Sequence, residues 1–362
     1  MTSETLLGEH FLVAEPHDGY SGFAFPGSVV VLPTGKLLAV FAGLRGQGAN
    51  RGVGCYSADD GRTWSAPVVL FGGEAPGSEA GESYADPNIV IVNDRRVLAF
   101  CVSLRYDENV WDLSRTRFWR RISEDGGETF GPLEELPRHK KYYVGTTHPG
   151  MRLRNGTLAM GYSWDKPAEV GRPAEGEGTM DLVAGMLISR DEGMTWQAGG
   201  DCYADTSRAE NALAHATNGL DEPAVVELPN GDLFLLARTG TNRLWQSVSH
   251  DGGLSWETPE PSPLTSHNCP AALLRLVDGA VLVVSNNHPT RRFNLSVAVS
   301  TDGCRTWSAP RKIGPVGGSE ETEAAYPALC QLADSTLVAV FYQIDRGAAE
   351  PQMVINAVRF TV

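Results

Sequence analysis

DEPAVVELPNGDLFLLAR, Asp221–Arg238, is two apolar runs joined by Pro229-Asn230-Gly231. Asn-Gly between β-rich runs is a strong hairpin signal, because both residues accept the left-handed backbone that a tight turn needs. The segment opens on two carboxylates, Asp221 and Glu222, and closes on Arg238. A hairpin that only packs has no need of charges at both of its open ends.

The same hairpin recurs along the chain as PGSVVVLPTGKLLAVFAG from Pro26, PNIVIVNDRRVLAFCVS from Pro87, PGMRLRNGTLAMGYS from Pro149, PAALLRLVDGAVLVVSNN from Pro270 and PALCQLADSTLVAVFYQ from Pro327. A second motif, Ser-x-Asp-x-Gly-x-x-aromatic with Cys in place of Gly in its last copy, alternates with it: SADDGRTW (Ser57–Trp64), SEDGGETF (Ser123–Phe130), SRDEGMTW (Ser189–Trp196), SHDGGLSW (Ser249–Trp256) and STDGCRTW (Ser300–Trp307). Ser and Asp side chains bond turn backbone, Gly permits the left-handed step, and the aromatic anchors the turn. Each turn supplies too few oxygens for calcium, so these are structural turns.

Hairpins and Asp turns interleave at intervals of roughly 50–70 residues, the length of a four-stranded propeller blade with its loops. The sequence therefore predicts an all-β fold: one six-bladed β-propeller domain over residues 1–362, with the run His10–Ala14 closing the last blade. The 40 glycines and 22 prolines suit a chain of many short strands and turns.

A net charge of −14 repels phosphate backbones, which argues against a nucleic-acid partner. No stretch approaches the roughly 18 apolar residues that a membrane span requires. The six cysteines lack metal-ligand spacing and read as free, mostly buried thiols. With no basic stretch and apolar core at the N-terminus, the expected location is cytoplasmic. There is no phosphate loop, no paired-His motif and no nucleophile elbow, so neither metal nor cofactor is implied.

Each hairpin copy starts at a proline, and in a propeller the first strand of each blade lines the axis. The residues before these prolines are Phe25, Asp86, His148, Glu222, Cys269 and Tyr326. Equivalent by repeat, they should form a ring at one mouth of the channel, each held extended by the proline that follows. Strand ends returning to that mouth carry Gly43, Ser103, Ser163, Arg238, Asn286 and Tyr342. The charges of Asp221–Arg238 thus belong to a site, and its apolar middle belongs to the core.

These residues resemble the sialidase (neuraminidase) superfamily of Asp-box, or BNR-repeat, propellers. Its members carry a glutamate shortly before a hairpin that ends in arginine, matched by Glu222 and Arg238. They carry an arginine in a stretch like Arg-x-Asn-Leu, matched by Arg292-Phe293-Asn294-Leu295, and a tyrosine before the last hairpin, matched by Tyr326. The resemblance implies a glycoside hydrolase of terminal acidic sugars. In it Tyr326 attacks the anomeric carbon, Glu222 accepts the phenol proton, and Arg238 and Arg292 clamp the substrate carboxylate.

Departures from the family pattern are equally specific. Its first clamp arginine sits in Phe-Arg-Ile-Pro, where this chain has Phe23-Ala24-Phe25-Pro26, and Arg45 is the nearby substitute. The family's acid Asp has no counterpart in RGQGANRGVGCY, and its late glutamate is replaced by Tyr342-Gln343. Asp86 is then the first candidate for the general acid. His148 is the second, with substrate binding as its other role. Two further readings stay open: a propeller lyase in which His148 and Tyr326 act on a uronate, and a carbohydrate-binding propeller without turnover.

Overall fold

All six hairpins close in the same way. The amide of the residue that ends the first run bonds the carbonyl four residues on, as in Leu32 to Lys36, Val92 to Arg96, Leu153 to Thr157, Leu228 to Asp232, Leu276 to Ala280 and Leu332 to Thr336. A left-handed residue completes most of these loops, Gly231 at φ 95° among them. Most of the strands so paired are buried on both faces: Leu37–Leu44 is buried up to its last residue. That is why they read as near-continuous apolar runs rather than as alternating ones.

The computed structural model describes residues 6–17, 19–45, 50–72, 82–107, 110–140, 149–170, 180–213 and 217–362. Its strands form six antiparallel sheets of blade type. Five are four-stranded; the third adds Asn218–Gly219, parallel to the start of Asp181–Ser189. The expected closure is present: Glu9–Ala14 pairs antiparallel with Met353–Phe360, so the first described strand completes the last blade. The inner strands of all six blades, from Val29 to Leu329, line one axial cavity of about 370 Å³.

Each Asp turn uses both oxygens of its aspartate. In the first, Thr63 N–H donates to Asp59 Oδ1 at 2.8 Å and Thr63 Oγ1 to Oδ2 at 2.7 Å, while Ser57 Oγ accepts from Gly61 N–H at 2.8 Å. These bonds favour the charged form and hold the Asp59 carboxyl down to about 2. The fifth turn has Cys304 where the others have glycine, and that cysteine adopts the left-handed φ of 67° itself.

Neighbouring blades are stitched near the axis. Ser28 Oγ donates to Asn88 Oδ1 at 2.8 Å, which in turn accepts Gly150 N–H at 3.2 Å. Ser163 Oγ donates to Asp221 Oδ1 at 2.8 Å, and Asn286 Nδ2 to the Ala324 carbonyl at 2.7 Å. These bonds fix how one blade's inner strand sits against the next.

Candidate active site

In four of the copies the residue before the hairpin proline is not extended, contrary to the expectation from local sterics. Phe25, Asp86, Glu222 and Tyr326 have φ of 51°, 54°, 42° and 54°. The register explains this. Asp221 pairs Arg238 and Ala224 pairs Leu236, so Glu222 and Pro223 together face one residue, and the same shift falls at Asp86-Pro87 and Tyr326-Pro327. Each is a β-bulge, the place where a strand tolerates a proline and re-aims a side chain. A non-glycine left-handed residue costs about 1–3 kcal/mol and persists only where its surroundings over-determine it. The ladder on both sides does so here.

A second correction concerns blade five. The left-handed residue there is Asn268, φ 42°, one position before Cys269. Cys269 is fully buried, its thiol pushed up by desolvation, and it belongs to the core. An extra residue between the left-handed position and Pro270 shifts the repeat, which counting back from the proline could not reveal.

Arg238 is the hub of the site. Its Nη1 donates to Glu222 Oε2 at 2.8 Å and to the Tyr326 phenol oxygen at 2.9 Å, and its Nε donates to Asn268 Oδ1 at 2.8 Å. Glu222 and Tyr326 come from bulges, Arg238 from a strand end and Asn268 from the bend before its hairpin, and Arg238, Glu222 and Tyr326 are each about 5% exposed. Arg292 stands beside them, donating to Tyr342 OH at 3.1 Å and to the Asn268 carbonyl at 3.0 Å. Its guanidinium lies 5.4 Å from the Tyr326 ring centre, within cation–π range.

Burial drives the Tyr326 phenol well above its ordinary value, with Glu222 adding to the rise while Arg238 and Arg292 oppose it. The oxygen already accepts a bond from Arg238, so its own proton remains to be given to a base. Aromatic contacts hold the ring: Phe25 meets it edge-on at 4.9 Å, and Tyr342 lies 5.8 Å away. Where the family pattern has an arginine and a glutamate, this chain has the fully buried Ala24 and Tyr342-Gln343. Gln343 is tied to the Val316 backbone by two hydrogen bonds.

The remaining candidates divide. Asp86 is half-buried on the same left-handed ring. Arg45 is exposed and donates to the Gly19 carbonyl at 3.2 Å. His148 lies outside the described residues. In blade one the Tyr20 ring occupies the space that a side chain at Gly43 would fill, so that strand end presents no polar group.

A model of the BNR repeat-like domain matches residues 29–339. The chain belongs to the BNR repeat-like domain family. Among curated proteins it is 26% identical to a sialidase of Micromonospora viridifaciens, over 90% of this chain and 51% of the relative. It is 25% identical to a sialidase of Bacteroides fragilis, over 71% of this chain and 48% of that protein. The BNR chain thus spans about half the length of the curated relatives it matches. Solved structures share the fold: a Hadza microbial sialidase at TM-score 0.73 and 15% identity covers 95% of this chain and 66% of its own. A protein of unknown function from Dyadobacter fermentans, at 0.75 and 18% identity, covers 98% of both.

Asp221 completes the site and was not a sequence candidate, although it stands at the head of the charged hairpin. It accepts from Ser163 Oγ and from the Glu222 amide, each at 2.8 Å, and lies 3.8 Å from Arg238 Nη1. Burial and then the adjacent Glu222 raise its carboxyl to about 7, against the pull of Arg238 and the two hydrogen bonds. An unfolded Asp titrates near pH 3.9. Above that value the folded chain keeps a proton that the unfolded chain releases. The stability from this group is therefore full below about pH 4, is lost as pH rises through about 7, and is flat beyond. Asp221→Asn cannot ionise, so its melting temperature should fall less than wild type between about pH 5 and 8.5. Parallel melting curves would show that Asp221 holds no such proton.

Proposed function

We propose that the chain is a sialidase-type glycoside hydrolase acting on a terminal acidic sugar. One observation carries this reading: a single arginine nitrogen joins a buried phenol to a buried carboxylate, with a second arginine over the phenol ring. The distant sialidase relatives support it.

A sugar with a carboxylate on its anomeric carbon repels an anionic nucleophile. A neutral phenol avoids that repulsion, provided a base takes its proton as the bond forms. Tyr326 is the nucleophile and Glu222 the base. The two arginines lower the cost of negative charge on the phenol oxygen, and their planar forks suit the sugar carboxylate. Asp86, on the same ring, gives a proton to the leaving oxygen and then activates water.

Hydrolysis of an aryl α-sialoside by the wild-type chain tests the reading. Asp86→Asn should slow substrates with poor leaving groups by about 100-fold or more and activated aryl glycosides far less. Equal losses on both would remove Asp86 as the acid. Binding without any hydrolysis would favour a carbohydrate-binding propeller.

A further inference from the structure

Asn268 contacts both candidate clamp arginines with different parts of itself. Its side-chain oxygen accepts from Arg238 Nε at 2.8 Å, and its main-chain carbonyl accepts from Arg292 Nη2 at 3.0 Å. Asn is among the few L-residues that enter the left-handed region readily, which is where this position sits. With Nε held by Asn268 and Nη1 by Glu222 and Tyr326, the plane of the Arg238 guanidinium is fixed by three partners. Arg292 is fixed by Tyr342 on one nitrogen and Asn268 on the other.

We propose that Asn268 is a positioning residue that sets the spacing and tilt of the Arg238–Arg292 pair, and so governs how tightly the carboxylate of an acidic sugar is held. This rests on the reading of those arginines as a carboxylate clamp. Blade one contributes Phe25 and Ala24 in place of a third cation. A clamp of two forks depends more on their mutual geometry than one of three, because a bidentate bond is lost when its plane tilts.

The test measures binding of 2,3-unsaturated sialic acid and of its methyl ester by titration calorimetry. Asn268→Gly keeps the left-handed backbone and the carbonyl for Arg292 while removing the bond to Arg238. It should weaken binding of the acid by about tenfold and of the ester by much less. Asn268→Asp keeps an acceptor for Arg238 but adds a negative charge between the arginines. It should erase the preference for acid over ester while retaining the melting temperature. A merely structural role would lower affinity for both forms together. Wild-type affinity for the acid in both variants would overturn the proposal and leave the clamp standing. A wild-type chain that binds neither form, or binds them equally, would remove the clamp and this proposal with it.

Discussion

Tyr326→Phe is expected to give a folded protein that still binds an acidic sugar but turns it over at least about 1,000-fold more slowly. The phenol oxygen is the only atom removed. The edge-on contact with Phe25 and the packing against Tyr342 depend on the ring, which remains. Arg238 keeps Glu222 and Asn268 as partners after losing the phenol. One lost hydrogen bond of about 1–2 kcal/mol should shift the melting temperature by only a few degrees. Tyr326 is the hydroxyl that shares the Arg238 nitrogen with Glu222, the proposed base. Steady-state rates on an aryl α-sialoside, with binding measured separately, separate chemistry from recognition. A variant as fast as wild type would show that Tyr326 is not the nucleophile.

The largest effect on stability should come from Arg238→Met. Its partner carboxylates, Asp221 and Glu222, are buried next to each other, and Arg238 Nη1 is 2.8 Å from one and 3.8 Å from the other. Breaking a buried pair from one side costs about 3–5 kcal/mol, because a charge is left without compensation. Affinity for a carboxylate sugar should fall with it by about 100-fold or more. The bridge to Glu222 also admits a purely structural role, and a double variant decides between the two. Arg238→Met with Glu222→Gln removes both charges, so most of the lost stability should return, as a double-mutant cycle would show. Activity should not return, since clamp and base are both gone. Melting temperature and kcat/KM measured on the three variants give the answer. An Arg238→Met protein that binds the acid as wild type does would exclude the clamp.

Reading the sequence placed the candidate residues at one mouth because the chain repeats. Glu222 and Tyr326 occupy the same offset from a proline in different copies, and both bond one nitrogen of Arg238. Arg238 stood out because it closed an otherwise apolar hairpin that opens on carboxylates. The same procedure failed at Asn268, where an inserted residue displaced the left-handed position from Pro270. It also missed the role of Asp221, since nothing local distinguishes a buried carboxyl from an exposed one.

By itself the sequence determined the blade count, the turn chemistry and the family pattern with its missing arginine and glutamate. These follow from short-range rules: Gly and Asn at left-handed steps, Asp and Ser on turn backbone, apolar runs in strands buried on both faces. The tertiary structure alone decided the backbone of the bulges, against the local preference before proline, because strand pairing on either side outweighs a local steric cost. It alone decided the network of the site. Tyr326 and Arg238 lie 88 residues apart and on different blades, and they meet only because the ring closes. Which of several charged groups shares a nitrogen, holds a proton or fixes a guanidinium plane depends on distances that closure sets, and no local pattern in the chain encodes them.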